Sequence, residues 1–409
     1  MEEFKTYTLE ELSLNKGTYG IAASAVPYDD SKLTYLRITD INDDGTLNTQ
    51  SLMSVDEPNA SDYLLKKNDI VFARTGNSTG RTYFYQGNEC PLVYAGFLIK
   101  FSIDEKKVNP LLLKYYTHSR IYYDWVKSFD TGGTRGNINA KTYGNMPIRI
   151  PASRKTQDKI VDILSSLDEK IALNRRINDN LEQQAQALFK SWFVDFEPFK
   201  DGKFVESEMG MIPEGWKYIK LGKLCESVSI THPQKTGKLI FLNTGDIECG
   251  MVNKHNYMNI NEMPGQAKKS IKENDILYSE IRPCNKHYAF VNFSADEYIV
   301  STKLMVIRTY NNNSLRIYQF LTRKEIIDLL QHEAESRSGT FPQIRFDNIS
   351  DLDILLATEP IEKQYSHLIS GIYNKIFKNE LEISKLQQLR DCILPKLMSG
   401  ELKINDLNC

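Results

Sequence analysis

Residues 131–151 read TGGTRGNINAKTYGNMPIRIP, and a worn second version, SGTFPQIRFDNISDLDILLA, occupies 338–357. Glycines, hydroxyls and one arginine ahead of an Asn-rich segment resemble an anion cradle. A nucleotide-binding loop, however, carries an adjacent Lys-Ser/Thr pair and opens a helix directly. Here Ile138 to Pro151 intervene, and the second version has Pro342 and its neighbours where the first has Arg135. The place of the stretch says more than its glycines: Gly133-Thr134 is matched by Gly339-Thr340, and MPI at 146–148 faces LDI at 352–354.

Outward from this stretch the pairing continues. YLRITDI (35–41) matches FLNTGDI (241–247), and LKKNDIVF (65–72) matches IKENDILY (271–278). Asp40 and Asp246, Asp69 and Asp275, Gly133 and Gly339 are each 206 positions apart. A single offset held without gaps over that distance marks a tandem duplication of whole domains, because solenoid units repeat every ~20–50 residues.

Each half reads the same way. Short apolar runs bounded by turn residues, such as DIVFARTG and TYFYQG with their mates DILYSEI and HYAFVNF, predict strands. Helical stretches follow at 110–129 and 315–334, the first opened by Asn109-Pro110. Each half then ends in a long helix with a seven-residue apolar period. Over 157–192 the rows are Leu167, Asn174, Leu181, Leu188 and Leu164, Ile171, Asn178, Ala185, Trp192. In the second copy they are Tyr365, Ile372, Asn379, Leu386, Ile393 and Ile369, Ile376, Ile383. Sustained heptads predict a coiled coil, and Asn174, Asn178 and Asn379 on the seam would fix its register. The first of these helices would be a rod of roughly 54 Å, a spacer between two like domains. Pro198, Gly202, Gly210, Pro213 and Gly215 punctuate the linker that follows.

Composition and motifs exclude more than they assign. At 409 residues with 41% hydrophobic and 25% charged residues, the chain suits a soluble protein of two to four domains. No apolar run is long enough for a membrane span, and the acidic MEEFKTYTLEEL start is unlike a secretory signal, so a cytoplasmic setting is expected. The scattered cysteines (90, 225, 249, 284, 392, 409) form no C-x-x-C pair. There is no P-loop, Rossmann fingerprint or nucleophile elbow. HEAES (332–336) begins like a zinc motif but has Ser336 where the second histidine would stand. Asp391 with Glu401-Leu402-Lys403 is the one nuclease-like group, and charges at a helix end and tail are ordinarily solvated. No metal site is expected.

Polar loops carry the better case. The net charge of −2 argues mildly against nucleic acid, but binding depends on local basic faces. ARTGNSTGR (73–81) offers Arg74, Asn77, Ser78, Thr79 and Arg81, side chains of the kind that read base edges and phosphates. Its counterpart SEIRPCNKH (279–287) offers Arg282, Asn285, Lys286 and His287. Lys16, Thr18, Tyr19, Lys268 and Lys269 are secondary candidates, and Thr134, Arg135 and Asn137 are candidates in the first half alone. A shared framework with divergent tips suits two domains reading two different sequences.

The pattern resembles the specificity (S) subunit of type I restriction–modification enzymes. The resemblance rests on the two repeats, each with an NDI-(V/L)-(F/Y) strand, an (S/T)-G-(G)-T turn and an IP…Q lead into a long helix, Pro151 and Gln157 in the first copy. It also rests on ILSSLDEKIALNRRINDNLEQQAQALFKSWFVDF, on the opening IPEGWKYIKLGKL and on the tail LRDCILPKLMSGEL, and it spans essentially the whole chain. The second copy departs from it, with Glu359-Pro360-Ile361 and Gln364 in place of a clean lead.

The resemblance implies an α+β fold of two tandem target-recognition domains, each β-rich with a helical lobe. Two long antiparallel coiled-coil helices separate them under an approximate two-fold axis. The expected divisions are 1–153, first recognition domain; 154–200, central helical region; 201–359, linker and second recognition domain; and 360–409, C-terminal helical region. It further implies a non-catalytic chain that reads a bipartite double-stranded DNA site and docks two methyltransferase subunits. Those subunits would bring S-adenosylmethionine, while restriction subunits acting as motors would bring ATP and Mg²⁺; no cofactor is expected on this chain. A coiled-coil adaptor that reads no DNA and a metal-dependent nuclease are the alternatives.

Overall fold

The structure, a computed structural model, describes residues 3–87, 90–129, 136–252, 256–311, 313–337 and 341–402, the side chains of residues 50 and 337 excepted. Gly133, Thr134, Arg135, Gly339 and Thr340 lie outside the described residues. The chain divides into two compact units, one of residues 1–173 with 382–409 and one of residues 174–381.

The first unit contains strands β1 (Phe4–Thr8), β2 (Thr18–Tyr19), β3 (Ala25–Val26), β4 (Leu33–Leu36), β5 (Met53–Val55), β6 (Asp69–Ala73), β7 (Thr82–Tyr85), β8 (Leu92–Tyr94) and β9 (Leu98–Ser102). Helices α1 (Pro110–Tyr116), α2 (Arg120–Lys127) and α3 (Ala140–Gly144) follow, then β10 (Pro147–Pro151) and the long helix α4 (Arg154–Phe193). Two four-stranded sheets, ordered β2-β9-β6-β7 and β3-β5-β4-β8, and the pair β1-β10 make up its β structure. The uniformly buried DIVFA of β6 is the centre of the first sheet.

The second unit opens within α4 at Asn174 and continues with the hairpin β11 (Phe204–Ser207) and β12 (Gly210–Pro213), then β13 (Lys217–Lys220), β14 (Cys225–Val228) and β15 (Lys238–Leu242). Short strands β16 (Ile247–Glu248), β17 (Met251–Val252) and β18 (Tyr257–Asn259) precede β19 (Ala267–Ser270), β20 (Ile276–Ser279), β21 (Tyr288–Phe290), β22 (Tyr298–Ser301) and β23 (Leu304–Thr309). Helices α5 (Ser314–Thr322), α6 (Lys324–Arg337) and α7 (Phe346–Ser350) and strand β24 (Asp353–Leu356) follow, then the long helix α8 (Glu359–Ser399), which belongs to the first unit from Glu382 on. The second unit's sheets β14-β23-β20-β21 and β18-β15-β22-β19 and the pair β13-β24 repeat the first unit's plan.

The repeat extends to single hydrogen-bonded rungs. The parallel pair β4–β8 sets Thr34 against Leu92, and β15–β22 sets Ile240 against Tyr298, each residue moved by 206. Ile70 faces Phe101 in β6–β9, and Ile276 faces Ile307 in β20–β23. The NDI motif shows why. Asn68 and Asn274 take left-handed backbone (φ 70° and 71°), a conformation asparagine tolerates. The following Asp69 and Asp275 then accept the backbone N–H of Lys66 and Lys272 at 2.8 and 2.7 Å, closing the turn into the strand. Their remaining oxygens accept from Ser102 and Arg308, again 206 apart.

Two expectations need correction. The helical stretches 110–129 and 315–334 are each broken in two: Ser119 turns extended and caps α2 by accepting the Tyr122 N–H, and Arg323 turns extended ahead of α6. The partner of Gln157 is Glu362 and not Gln364. Gln157 fastens helix to strand by donating to the Pro151 carbonyl, and Glu362 does the same by accepting the Ala357 N–H. From that point the helices match at an offset of 205, because 357–362 is one residue shorter than 151–157.

The predicted seams are buried within each unit. In the first, Ile160, Val161 and Leu164 of α4 share a core with Leu394, Leu397 and Met398 of α8. Lys170 meets Glu382 and Asp168 meets Arg390, so these segments run antiparallel. In the second, Asn379 donates to Asn178 at 2.8 Å, Tyr373 donates to Glu182 at 3.2 Å, and Phe193 packs edge-on to Tyr365, again antiparallel. Ile171, Asn174, Ile369, Ile376 and Ile383 are buried, while Leu167, Leu181, Leu188, Ile372 and Leu386 are half-buried. Tyr373, which the heptads passed over, is fully buried because α8 also packs on α5 through it.

Candidate nucleic-acid interface

In the first unit the loop after β6 is suspended between two others. Arg74 donates its N–H to the Phe97 carbonyl (3.1 Å) and accepts from the Ile138 N–H (2.9 Å), while Thr75 bridges Asn137. This fixes three side chains at one surface. The Arg74 guanidinium lies 5.0 Å above the Tyr19 ring and donates to Asn137 Oδ1 at 3.4 Å. Tyr19 in turn accepts the Ala140 N–H at 3.1 Å. Asn77 is exposed, and Phe97 is 59% exposed, which is unusual for a phenylalanine. A cation, an amide and aromatic rings side by side form the chemistry that meets base edges, phosphates and stacked bases.

Other predicted residues serve the frame. Thr79 Oγ1 donates to the Gly76 and Gly136 carbonyls at 2.8 and 2.9 Å, and Thr18 is bonded to the Tyr94 hydroxyl at 2.9 Å. The Arg81 guanidinium is committed to Asp43 (2.6 Å) and the Ile41 carbonyl (3.1 Å). Ser78 is buried, which corrects its assignment as a contact. Lys16 is largely exposed, 3.8 Å from Glu10. Below the loop, Tyr122 and Tyr143 donate to the Gly80 and Ala73 carbonyls at 2.7 and 2.9 Å, tying it to the helical lobe.

The second unit keeps the frame and changes the side chains. Glu280 donates its N–H to the Lys303 carbonyl (3.0 Å) and accepts from Ile344 (2.9 Å), while Ile281 bridges Gln343. Arg74, Phe97 and Asn137 thus become Glu280, Lys303 and Gln343, all at an offset of 206. Lys303 lies 3.6 Å from Glu280 and donates to Gln343 at 3.4 Å. Sequence reading missed Phe97, Glu280, Lys303 and Gln343. Phe97 and Lys303 sit in turns that look generic until the strands are paired.

Arg282, Asn285 and Lys286 are exposed on this loop, and His287 Nδ1 is bonded to the Ile247 carbonyl at 2.8 Å. Lys268 is exposed on β19, but Lys269 is a correction. Its ammonium is buried and donates to the Thr302 and Leu304 carbonyls at 3.1 and 2.8 Å, and burial lowers its pKa. Arg282 and Lys286 hold left-handed backbone at φ 43° and 55°, at about 1–2 kcal/mol each.

The alternative chemistry gains nothing from the structure. Asp391 accepts from Arg390 at 3.1 Å, Glu401 is exposed, and Lys403 lies outside the described residues. Among the described residues no three His, Cys, Asp or Glu side chains gather as metal ligands, and no helix is long and apolar enough to cross a membrane.

Comparison with known proteins decides the family. The model of the type I restriction modification DNA specificity domain matches residues 1–183 and again residues 213–389. The chain belongs to this family. Among relatives of this specificity family, the type I restriction enzyme MjaIX specificity subunit of Methanocaldococcus jannaschii is 26% identical over 304 residues, 72% of this chain and 69% of that one. The HindI specificity subunit of Haemophilus influenzae is 37% identical over 181 residues, 44% of this chain and 39% of its own. The crystal structure of a type I S subunit from M. genitalium shares the fold, with a TM-score of 0.55 at 14% identity over 97% of this chain and 96% of that one. The two matched segments of the specificity family each contain one copy of the suspended loop.

Proposed function

We propose that this chain is the DNA-reading, non-catalytic subunit of a type I modification system, with each unit reading one part of a bipartite double-stranded site. The observation that carries this reading is the shared loop frame: one backbone arrangement presents Arg74, Phe97 and Asn137 in one unit and Glu280, Lys303 and Gln343 in the other. A fixed frame with exchanged polar tips is what two readers of different sequences require.

In this reading residues 1–153 and 201–359 are the readers. Residues 154–200 and 360–409 form the spacer and dock two methyltransferase subunits. Those partners carry S-adenosylmethionine, restriction subunits add ATP- and Mg²⁺-dependent translocation, and the complex works in the cytoplasm. This chain supplies the address and none of the chemistry.

The test is a methylation map of DNA from cells expressing this chain with its methyltransferase. A motif in two parts with an unread gap of constant length is the expected result. A continuous motif, or methylation without sequence preference, would overturn the reading.

A further inference from the structure

Among the described residues, three of the six non-glycine residues with left-handed φ, Cys249, Arg282 and Lys286, meet in one cluster of the second unit, where Cys249 donates its N–H to the Lys286 carbonyl at 2.9 Å. Asn68 and Asn274, two of the others, are accounted for by the NDI turn. Arg282 and Lys286 have counterparts that explain them by contrast. The equivalent positions in the first unit are Gly76 and Gly80, whose φ values of 75° and 87° lie in the same region. The bonds around them agree as well. The Asn285 N–H donates to Arg282 as the Thr79 N–H does to Gly76, and the Ser279 N–H donates to His287 as the Ala73 N–H does to Arg81.

The first unit therefore shows that glycine suffices to build this loop. A β-carbon in left-handed backbone is strained, and both side chains in the second unit are exposed, so they repay that strain with no core packing. What they add is two positive charges four residues apart across a tight turn. The first unit presents no side chain at these points, and Gly80 is buried with its carbonyl taken by the Tyr122 hydroxyl. A β-carbon at Gly80 would meet Val126 Cγ1 at 2.6 Å, whereas Gly76 faces open space.

We propose that Arg282 and Lys286 are the residues by which the second unit grips the DNA of its half-site, held in backbone that the first unit gives to glycine. The inference rests on the proposed reading of a bipartite site. It adds that the two units engage DNA differently at matched positions: the second places cationic side chains where the first has glycine.

The test uses the full chain in complex with its methyltransferase, and duplexes bearing the methylated motif with either part scrambled. The double variant Arg282→Gly/Lys286→Gly should melt at the same temperature as the parent or higher. It should bind the intact site at least about tenfold more weakly, and it should no longer distinguish a scrambled second part while still rejecting a scrambled first part. Arg282→Asn/Lys286→Asn, which also suits left-handed backbone, should behave alike and serves as the measure should the glycine pair fold poorly. Variants that fold and still reject the scrambled second part as the parent does would overturn the assignment and leave the bipartite reading intact. A parent complex indifferent to scrambling of both parts would instead overturn the reading itself.

Discussion

Arg74 is half-buried, its guanidinium held against Tyr19 and Asn137 at the surface, so its removal separates reading from folding. Arg74→Ala should weaken binding to one part of the site by about 1–3 kcal/mol, with an unchanged melting temperature and normal assembly with the methyltransferase. Methylation of the full site at the parent's rate would show that the loop is no reader. Glu380 poses a different question. Burial, reinforced by the charge of Glu182, pushes its carboxyl up to about 7 from an ordinary 4.5. The folded state thus holds a proton that the unfolded chain has released, and stability falls as pH rises from about 4.5 to about 7. Glu380→Gln should flatten that decline and raise stability above pH 7 by on the order of 1 kcal/mol, its partial exposure allowed for. Thermal melts from pH 4.5 to 8 check this; parallel curves for parent and variant would show that Glu380 does not titrate there. Lys269 marks the limit of reading residues alone. A lysine in AKKS looks like a surface cation, and only the pairing of β19 with β22 reveals two carbonyls waiting for it.

At the scale of elements, Asp168 joins α4 to its surroundings in the first unit. It accepts from Lys114, Tyr115 and Arg390, each at 3.0 Å. Burial works to raise its carboxyl pKa, and Lys114 and Arg390 outweigh it, so the group stays below its ordinary value. That stabilisation is present above the ordinary carboxylate range and is lost as pH falls through the lowered value. Asp168→Asn should cost about 2 kcal/mol at neutral pH and much less in acid, as denaturant titration would show. The long helices were legible because heptads are a local signal. Asn178 and Asn379 were picked out as seam residues from period alone, and they are bonded to each other. The breaks at Ser119 and Arg323 were not legible, since each leaves a plausible apolar face on both sides. Under the proposed spacer role, seven residues inserted into α4 together with seven into α8 should add about 10 Å, or about three base pairs, to the unread gap. A methylation map with the parent's gap would remove the helices from that role.

At the scale of the molecule, the duplication was the most legible feature, because a constant offset needs no knowledge of geometry. Pairing of β4 with β8 and of β15 with β22 had to await the structure, since parallel rungs link residues nearly sixty apart. The loop tips could be located by the repeat, but Phe97 and Lys303 join them only through the pairing of β6 with β9 and of β20 with β23. The duplication also predicts which grafts succeed. A chain whose residues 33–157 are replaced by 239–362 keeps the matched rungs of β4–β8 and β6–β9 and brings Glu362 along with its strand. It should fold, read the second unit's target twice and methylate a symmetric site. Loss of folding on circular dichroism would show that the two frames are not interchangeable.

The shortened lead at 357–362 sets where such exchange may begin and end. Gln157 and Glu362 each clasp the end of the preceding strand, six and five residues on from Pro151 and Ala357. A crossover that joins Pro151 directly to Thr358 therefore leaves Glu362 facing a proline, which has no N–H to donate. The strand then loses the bond that fastens it to the helix. Exchange of readers thus works best at breakpoints that bring each strand together with its own clasp, so the lead travels as cargo with the reader.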